Sequence, residues 1–216
     1  MPIHVPTSLL ARPLLDRPLL ARRSLLALAV LPVLVPRSGI AQSAGRAAAL
    51  VKSTGDQMVA IVNGPGSVAD KKPQLRRVVE AAVDVEEIGR FALGRYWRGA
   101  TPDQQKQYLA LYHEVLLNNI TSKLGDYKGV TFTMGATQPR DDGEHVMTVV
   151  TRPNNPPANV AWVVANVGGS LKIIDLVAEG TSMRLTQRSD YSSYLSRNNN
   201  NVQALIGAMR QQIAQN

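Results

Sequence analysis

The chain contains no cysteine, which removes disulfides, thiolate nucleophiles, iron–sulfur ligation and cysteine-based zinc sites together. Histidine is scarce: His4, His113 and His145 are the only three among 216 residues. Aromatic residues make up 5%, too few for the stacking surface of a single-strand nucleic-acid binder. The uncharged run Ser24–Val35 is about a dozen residues, well short of the ~20 that a helix needs to cross a bilayer. Catalytic signatures are missing as well. There is no G-x-S-x-G elbow and no phosphate-cradling G-x-x-x-x-G-K. His113-Glu114 opens like H-E-x-x-H, but Leu117 stands where the second metal ligand is needed. His113 lies beside the apolar stripe of a long helix, as a structural histidine does, and His145 opens a strand and is expected at the surface. We therefore expect no enzyme, no cofactor and no metal.

What is present is a globular composition. Hydrophobic residues at 44% against 19% charged are enough for one domain with its own core. The net charge of +8 would suggest nucleic acid if it were spread over the fold. It is not. Residues 1–43 carry Arg12, Arg17, Arg22, Arg23 and Arg37 against Asp16 alone, which is half of the excess. The remaining body is mildly basic, which suits an anionic membrane surface and argues against a nucleic-acid partner. The first fifth itself reads as an export signal: Arg22-Arg23, the apolar run to Val35, then small residues in Ser38-Gly39-Ile40-Ala41-Gln42-Ser43-Ala44. Cleavage after Ala41 or after Ser43 satisfies the small-residue rule, and both the Sec and the twin-arginine routes remain open. The domain expectation is a signal over 1–43 and a single domain over 44–216.

Past that signal the pattern is helices first. Gly45–Val62 has apolar residues at helical intervals, and Gly64-Pro65-Gly66 breaks it. Residues 67–82 resume with a charged face. Asp84 with Glu87 starts a short helix, and Thr101-Pro102-Asp103-Gln104 starts a long one that keeps its stripe to Leu124. Four β-rich runs follow: Val130–Ala136, Glu144–Arg152, Asn159–Val167 and Leu171–Ala178. Short turns between them predict an antiparallel meander, with Gly168-Gly169 as its clearest hairpin. Thr181–Ser196 and Val202–Ile213 return to helix. The fold class is α+β, with N-terminal helices, a twisted antiparallel sheet of about four strands, and C-terminal helices.

Strand composition supplies the functional hint. In Val160–Val167, Leu171–Val177 and Val146–Val150 both alternating faces are largely apolar, whereas a sheet with one wet face alternates apolar and polar. Helices packed on both sides explain this, and so does an apolar pocket against one side. Periodicity does not separate the two.

Two stretches carry a resemblance. One is Ile88-Gly89-Arg90-Phe91-Ala92-Leu93-Gly94-Arg95-Tyr96-Trp97-Arg98-Gly99-Ala100-Thr101-Pro102-Asp103-Gln104-Gln105, running on to Gly125-Asp126-Tyr127-Lys128-Gly129. The other is Ala161-Trp162-Val163-Val164, Gly168-Gly169, Leu171-Lys172-Ile173-Ile174-Asp175, Glu179-Gly180-Thr181-Ser182 and Gln187-Arg188. Over roughly residues 46–213 the chain resembles the MlaC or toluene-tolerance auxiliary family of periplasmic phospholipid-binding proteins, including its hopanoid-associated branch. It departs at Arg197-Asn198-Asn199-Asn200-Asn201, where the family often has a glycine pair. The resemblance implies an apolar cavity between sheet and helices that holds phospholipid tails. It also implies traffic between an outer-membrane lipoprotein complex and an inner-membrane ABC transporter complex that maintains outer-membrane lipid asymmetry.

Candidate tail contacts are Phe91, Leu93, Tyr112, Leu116, Val146, Val150, Trp162, Val164, Ile173 and Val177. They combine apolar helix positions with strand positions taken as lying on one face, and a slip of one residue would reverse the strand set. Arg95, Tyr96, Trp97 and Arg98 are candidates for headgroup or partner contact, because guanidinium groups pair with phosphate and amphipathic rings favour interfaces. The aromatics equally suit a staple between two helices. Carriage of another apolar lipid such as a hopanoid, an envelope adaptor without lipid, and a hydrolase using His113 or His145 are the competing readings.

Overall fold

The computed structural model of the chain describes residues 38–215. The expected export signal lies almost wholly outside that range. Helix α1 (Ser38–Asn63) already includes its last residues, Ala41 to Ser43, and runs on through the predicted Gly45–Val62 segment. The Gly64-Pro65-Gly66 break separates it from α2 (Val68–Ala82), whose N-cap Ser67 forms a complete capping box with Asp70. Helix α3 (Val85–Leu93) is capped by the Asp84 carboxylate, which accepts from the Glu87 amide at 2.9 Å. A 3-10 turn over Gly94–Trp97 leads to α4 (Pro102–Ser122). There Thr101 and Gln104 close a second reciprocal box, and Pro102 takes the first turn, where its missing N–H costs nothing.

A further 3-10 turn, Leu124–Tyr127, precedes the sheet. Strands β1 (Thr131–Arg140), β2 (Gly143–Thr151), β3 (Ala158–Val167) and β4 (Ser170–Ala178) form the predicted antiparallel meander. A two-residue β5 (Thr181–Ser182) adds a fifth strand, too short to show a period in sequence. Strand β1 extends past Ala136 through Pro139, which an edge strand tolerates. Gly168 and Gly169 take φ of +57° and +87° in the tight β3–β4 turn, a conformation that side chains with a Cβ resist. Helices α5 (Met183–Arg197) and α6 (Val202–Ala214) complete the chain. At the departure from the family pattern, Asn199 and Asn200 adopt φ of +53° and +57°. Asparagine is the side chain best able to replace glycine there, so the turn keeps a left-handed backbone without a glycine pair.

Two bulges set the faces of the sheet. In β1, Gly135 and Ala136 together oppose Met147, between the pairs Met134↔Thr148 and Thr137↔Val146. In β4, Ile174 is the extra residue between Val164↔Ile173 and Val163↔Asp175. Residues opposite one another across a ladder share a face, so Val146, Trp162, Val164 and Ile173 lie on one side of the sheet. That side packs against α1 through Ala47 and Val51, and against Ala82 at the end of α2. The helices form a separate core of Leu93, Tyr108, Tyr112, Leu117, Leu195 and Ile206, with Val83 touching both clusters.

Helix α1 approaches the sheet closely enough to exclude a side chain. A Cβ at Gly55 would stand 2.4 Å from Phe132 Cζ, closer than any carbon contact allows. Gly55→Val is therefore expected to lower stability to urea by about 1–3 kcal/mol through overpacking. Gly207→Ala, in α6 with nothing within 4 Å of the new methyl, is expected to raise it by up to about 1 kcal/mol through helix propensity alone. Unchanged or raised stability in Gly55→Val would show that α1 is not seated on Phe132.

Candidate functional site

The expected tail contacts divide among three environments. Val146, Trp162, Val164 and Ile173 meet in the cluster beneath α1. Val150 joins the adjoining cluster of Val62, Leu75, Leu124 and Val130. The polar atoms inside this layer satisfy one another: Trp162 Nε1 donates to Thr148 Oγ1 at 3.0 Å, and that hydroxyl donates to the Val160 carbonyl at 3.0 Å. The layer is otherwise aliphatic, and small residues of α1, Ala47 and Ala48, face it.

Leu93, Tyr112 and Leu116 sit instead in the helical core. Tyr112 packs between Tyr108 and Tyr191 with ring centroids 5.8 Å and 6.3 Å away. Burial pushes all three phenols well above their ordinary range, so they are neutral core side chains. Val177 pairs with Ala161 and Ser182 and faces the other side of the sheet from Ile173, because the Ile174 bulge reverses the alternation. Phe91 carries two arginines on its ring, Arg184 at 4.6 Å and Arg188 at 5.0 Å. Solvent-open depressions of about 450, 510, 510 and 540 Å³ lie on the described surface, and these are lined by none of the ten residues.

The Arg95–Arg98 stretch forms the 3-10 turn and its end. Trp97 packs edge-on to Tyr108 at 6.5 Å under the Arg90 guanidinium, which is the staple arrangement. The Tyr96 hydroxyl accepts from Arg95 Nη2 at 2.9 Å and donates to Asn200 Oδ1 at 3.1 Å, tying the turn to the α5–α6 connection. Its contacts with Ser196 and Arg95 hold that phenol below its usual range. Arg95 and Arg98 are exposed. Arg95, Tyr96, Gly99, Asn200 and Val202 surround one of the depressions, of about 510 Å³.

A polar strap joins the sheet to α5, and residue patterns alone did not disclose it. Asp175, buried within the apolar β4, accepts from the Ser182 hydroxyl and from the Leu176 and Arg184 amides at 2.8 and 3.0 Å. Arg184 Nη2 reaches Asp142 Oδ2 at 3.1 Å in the β1–β2 turn. His145 Nε2 meets the other oxygen of Asp142 at 2.8 Å. His145, expected at the surface, is thus nearly covered, with 12% of its side chain exposed. A lone acid in an otherwise aliphatic strand is the sequence signal that could have located the strap. His113 Nε2 is buried without a hydrogen bond, 3.7 Å from Glu80 Oε1. Among the described residues no cluster of His, Asp and Glu could hold a metal ion, and no helix is long and apolar enough to cross a membrane.

Helices closed over a meander that is apolar on both faces make an α+β binding domain. The chain belongs to the MlaC family, described as MlaC protein, whose sequence profile matches residues 52–211. It is similar to the toluene tolerance protein ttg2D of Pseudomonas putida, 24% identical over 143 residues. That match covers 65% of this chain and 66% of the relative's length. Among solved structures it is similar in fold to the phospholipid-binding protein from Ralstonia solanacearum in complex with a phospholipid. The TM-score is 0.67 at 22% identity, covering 78% of this chain and 97% of that one. Family membership makes the chain a periplasmic lipid-handling protein and not an enzyme.

The strap has a pH dependence. Partial burial pushes the Asp142 carboxyl up, but the His145 hydrogen bond and the charges of His145 and Arg184 outweigh it and hold the group below the usual carboxylate range. Its pKa is thus lower folded than unfolded, so its stabilisation is complete above about pH 4 and is lost as pH falls through the lower folded value. Asp142→Asn is expected to lower the urea midpoint at neutral pH and to flatten its decline between about pH 4 and pH 2. An acid limb as steep as the wild type's would exclude the strap as its source.

Proposed function

We propose that this chain is a periplasmic phospholipid carrier. It shuttles lipid between an outer-membrane lipoprotein complex and an inner-membrane ABC transporter complex of the Mla type, and so maintains outer-membrane lipid asymmetry. The match to the family profile over residues 52–211 carries this reading. The likeness to a fold whose Ralstonia representative is described with a bound phospholipid supports it. Residues 1–43 direct export and are removed.

Physical chemistry explains why such a task needs a protein interior. Each acyl methylene exposed to water costs about 0.8 kcal/mol, so two long tails do not leave a bilayer unaided at a useful rate. The tails take the layer between α1 and the sheet, against Val146, Val150, Trp162, Val164 and Ile173. This layer is aliphatic, its polar atoms are paired, and it is closed by α1 and the end of α2 rather than by the larger helical core. Entry of lipid then requires α1 to move off the sheet, and Gly64-Pro65-Gly66 is the place in sequence where that helix can turn against α2.

Organic-solvent extraction of the purified protein followed by mass spectrometry is expected to release a phospholipid. Val164→Trp, which fills the layer from the sheet side, is expected to fold and to carry several-fold less lipid, since a Trp exceeds a Val by far more than the voids of a packed layer. Recovery of a hopanoid, or of no lipid, would overturn the phospholipid assignment. Full lipid content in folded Val164→Trp would move the tails elsewhere.

A further inference from the structure

Two guanidinium groups share the Phe91 ring, but their surroundings differ. Arg184 keeps only 16% of its side chain exposed, and its charge is answered by Asp142 and Asp175, with its Nε 3.5 Å from Asp175 Oδ2. Arg188, one helical turn further along α5, is exposed. Among the described residues it has no hydrogen bond and no ion pair, only the stack on Phe91 at 5.0 Å. Its seat is completed by backbone. Gly94 has φ of +57°, and a Cβ there would lie 3.0 Å from Arg188 Nε and 3.4 Å from its Cζ and Nη2. The guanidinium thus lies directly against the glycine, and a side chain there would push it aside by a few tenths of an ångström.

A cation fixed by a ring and a glycine, and not by a carboxylate, keeps its N–H donors available. The planar fork is already oriented, so little side-chain freedom is lost when an oxyanion arrives, and phosphate oxygens fit that fork. The neighbours favour a lipid as the source of the phosphate. Leu185, three residues before Arg188 and hence beside it on the helix, is 57% exposed. An apolar side chain in water next to an unpaired guanidinium matches the boundary between glycerol and phosphate. The location agrees. Arg184 binds Asp142 in the β1–β2 turn, four residues before Val146, which packs against Ala47 near the start of α1. The arginine pair thus stands at the end of the sheet where α1 begins its crossing.

We propose that Arg188, seated on Phe91 and Gly94, receives the phosphodiester of the carried phospholipid. This rests on the carrier reading above and adds to it a recognition site for the headgroup. Arg184 is the positioning residue. Its ion pairs with the sheet set the start of α5 and so the height of Arg188 over the ring.

The test measures binding of short-chain phosphatidylglycerol, of diacylglycerol with the same tails, and of glycerol phosphate to the purified wild type, Arg188→Ala and Arg188→Lys. Arg188→Ala is expected to weaken phosphatidylglycerol about tenfold and to leave diacylglycerol unchanged. Arg188→Lys recovers only part of the loss, because an ammonium lacks the planar fork. Since the readout is the ratio of two affinities per folded molecule, reduced stability does not imitate it. Arg188→Gln serves if the alanine variant fails to fold. Equal weakening of both lipids would make Arg188 a scaffold residue and overturn the proposal, and so would no change in either. Glycerol phosphate binding the wild type as tightly as the lipid would assign a free-anion site instead. Unchanged phosphatidylglycerol affinity with impaired delivery to acceptor membranes would turn the guanidinium toward an acidic partner, which also overturns it. Failure of the wild type to take up either lipid would overturn the carrier reading and this proposal with it, whereas a wild type that binds both lipids while the Arg188 variants match it overturns the headgroup site alone.

Discussion

The carboxylate of Asp175 is buried in the last long strand and accepts hydrogen bonds from three donors, two of them in the segment that follows. A polar group in an aliphatic strand is costly unless its lone pairs are answered, and here the answers come from Ser182, Leu176 and Arg184. The geometry of those bonds decides where the chain leaves the sheet and where α5 starts. The position of α5 then decides that Arg184 reaches back to Asp142 and that Arg188 lies over Phe91. Sheet, β1–β2 turn and helical core are locked to one another through this one acid.

Against that fixed corner, the layer under α1 is where the proposed carrier would exchange its lipid. The helical core is closed by tyrosines that interlock edge to face and by aliphatic side chains from five helices. The sheet cluster has fewer members, and on the helix side it is lined by alanines and approached by a glycine. Small side chains bring helix and sheet close together, and they also leave the least dispersion energy to be lost when the two separate. A protein that must take up and release long apolar chains needs one such weak seam beside a firm body.

The distribution of positive charge follows the same division. Arg76, Arg90 and Arg184 are matched by Glu114, Glu86 and Asp142 and serve the fold. Arg188 is placed as carefully as any of them, but nothing in the described chain neutralises it. Charge that is positioned and unanswered is available to a ligand, whereas exposed pairs contribute little to stability.

Much of the architecture was legible in the sequence. The capping boxes at Ser67 and Thr101 act within four residues, so they specify helix starts wherever the chain lies. The Gly168-Gly169 hairpin and the meander follow for the same reason, because a tight turn leaves neighbouring strands no other partner. The residues around Gly94 and Trp162 identified the family. What local pattern does not carry is the face of a strand residue past a bulge, which is why Val177 parts from Ile173. Nor does it carry contacts between distant segments. Phe91 and Arg188, or Asp142 and Arg184, meet only after helices and sheet have packed. The candidate site therefore divides along one line. The sequence alone determined its chemistry, an apolar sheet with scattered arginines, through composition and period. Which side chains share a face, and that Arg188 meets Phe91 while Arg184 meets the acids, was decided by the tertiary structure through bulge register and the reach of Asp175.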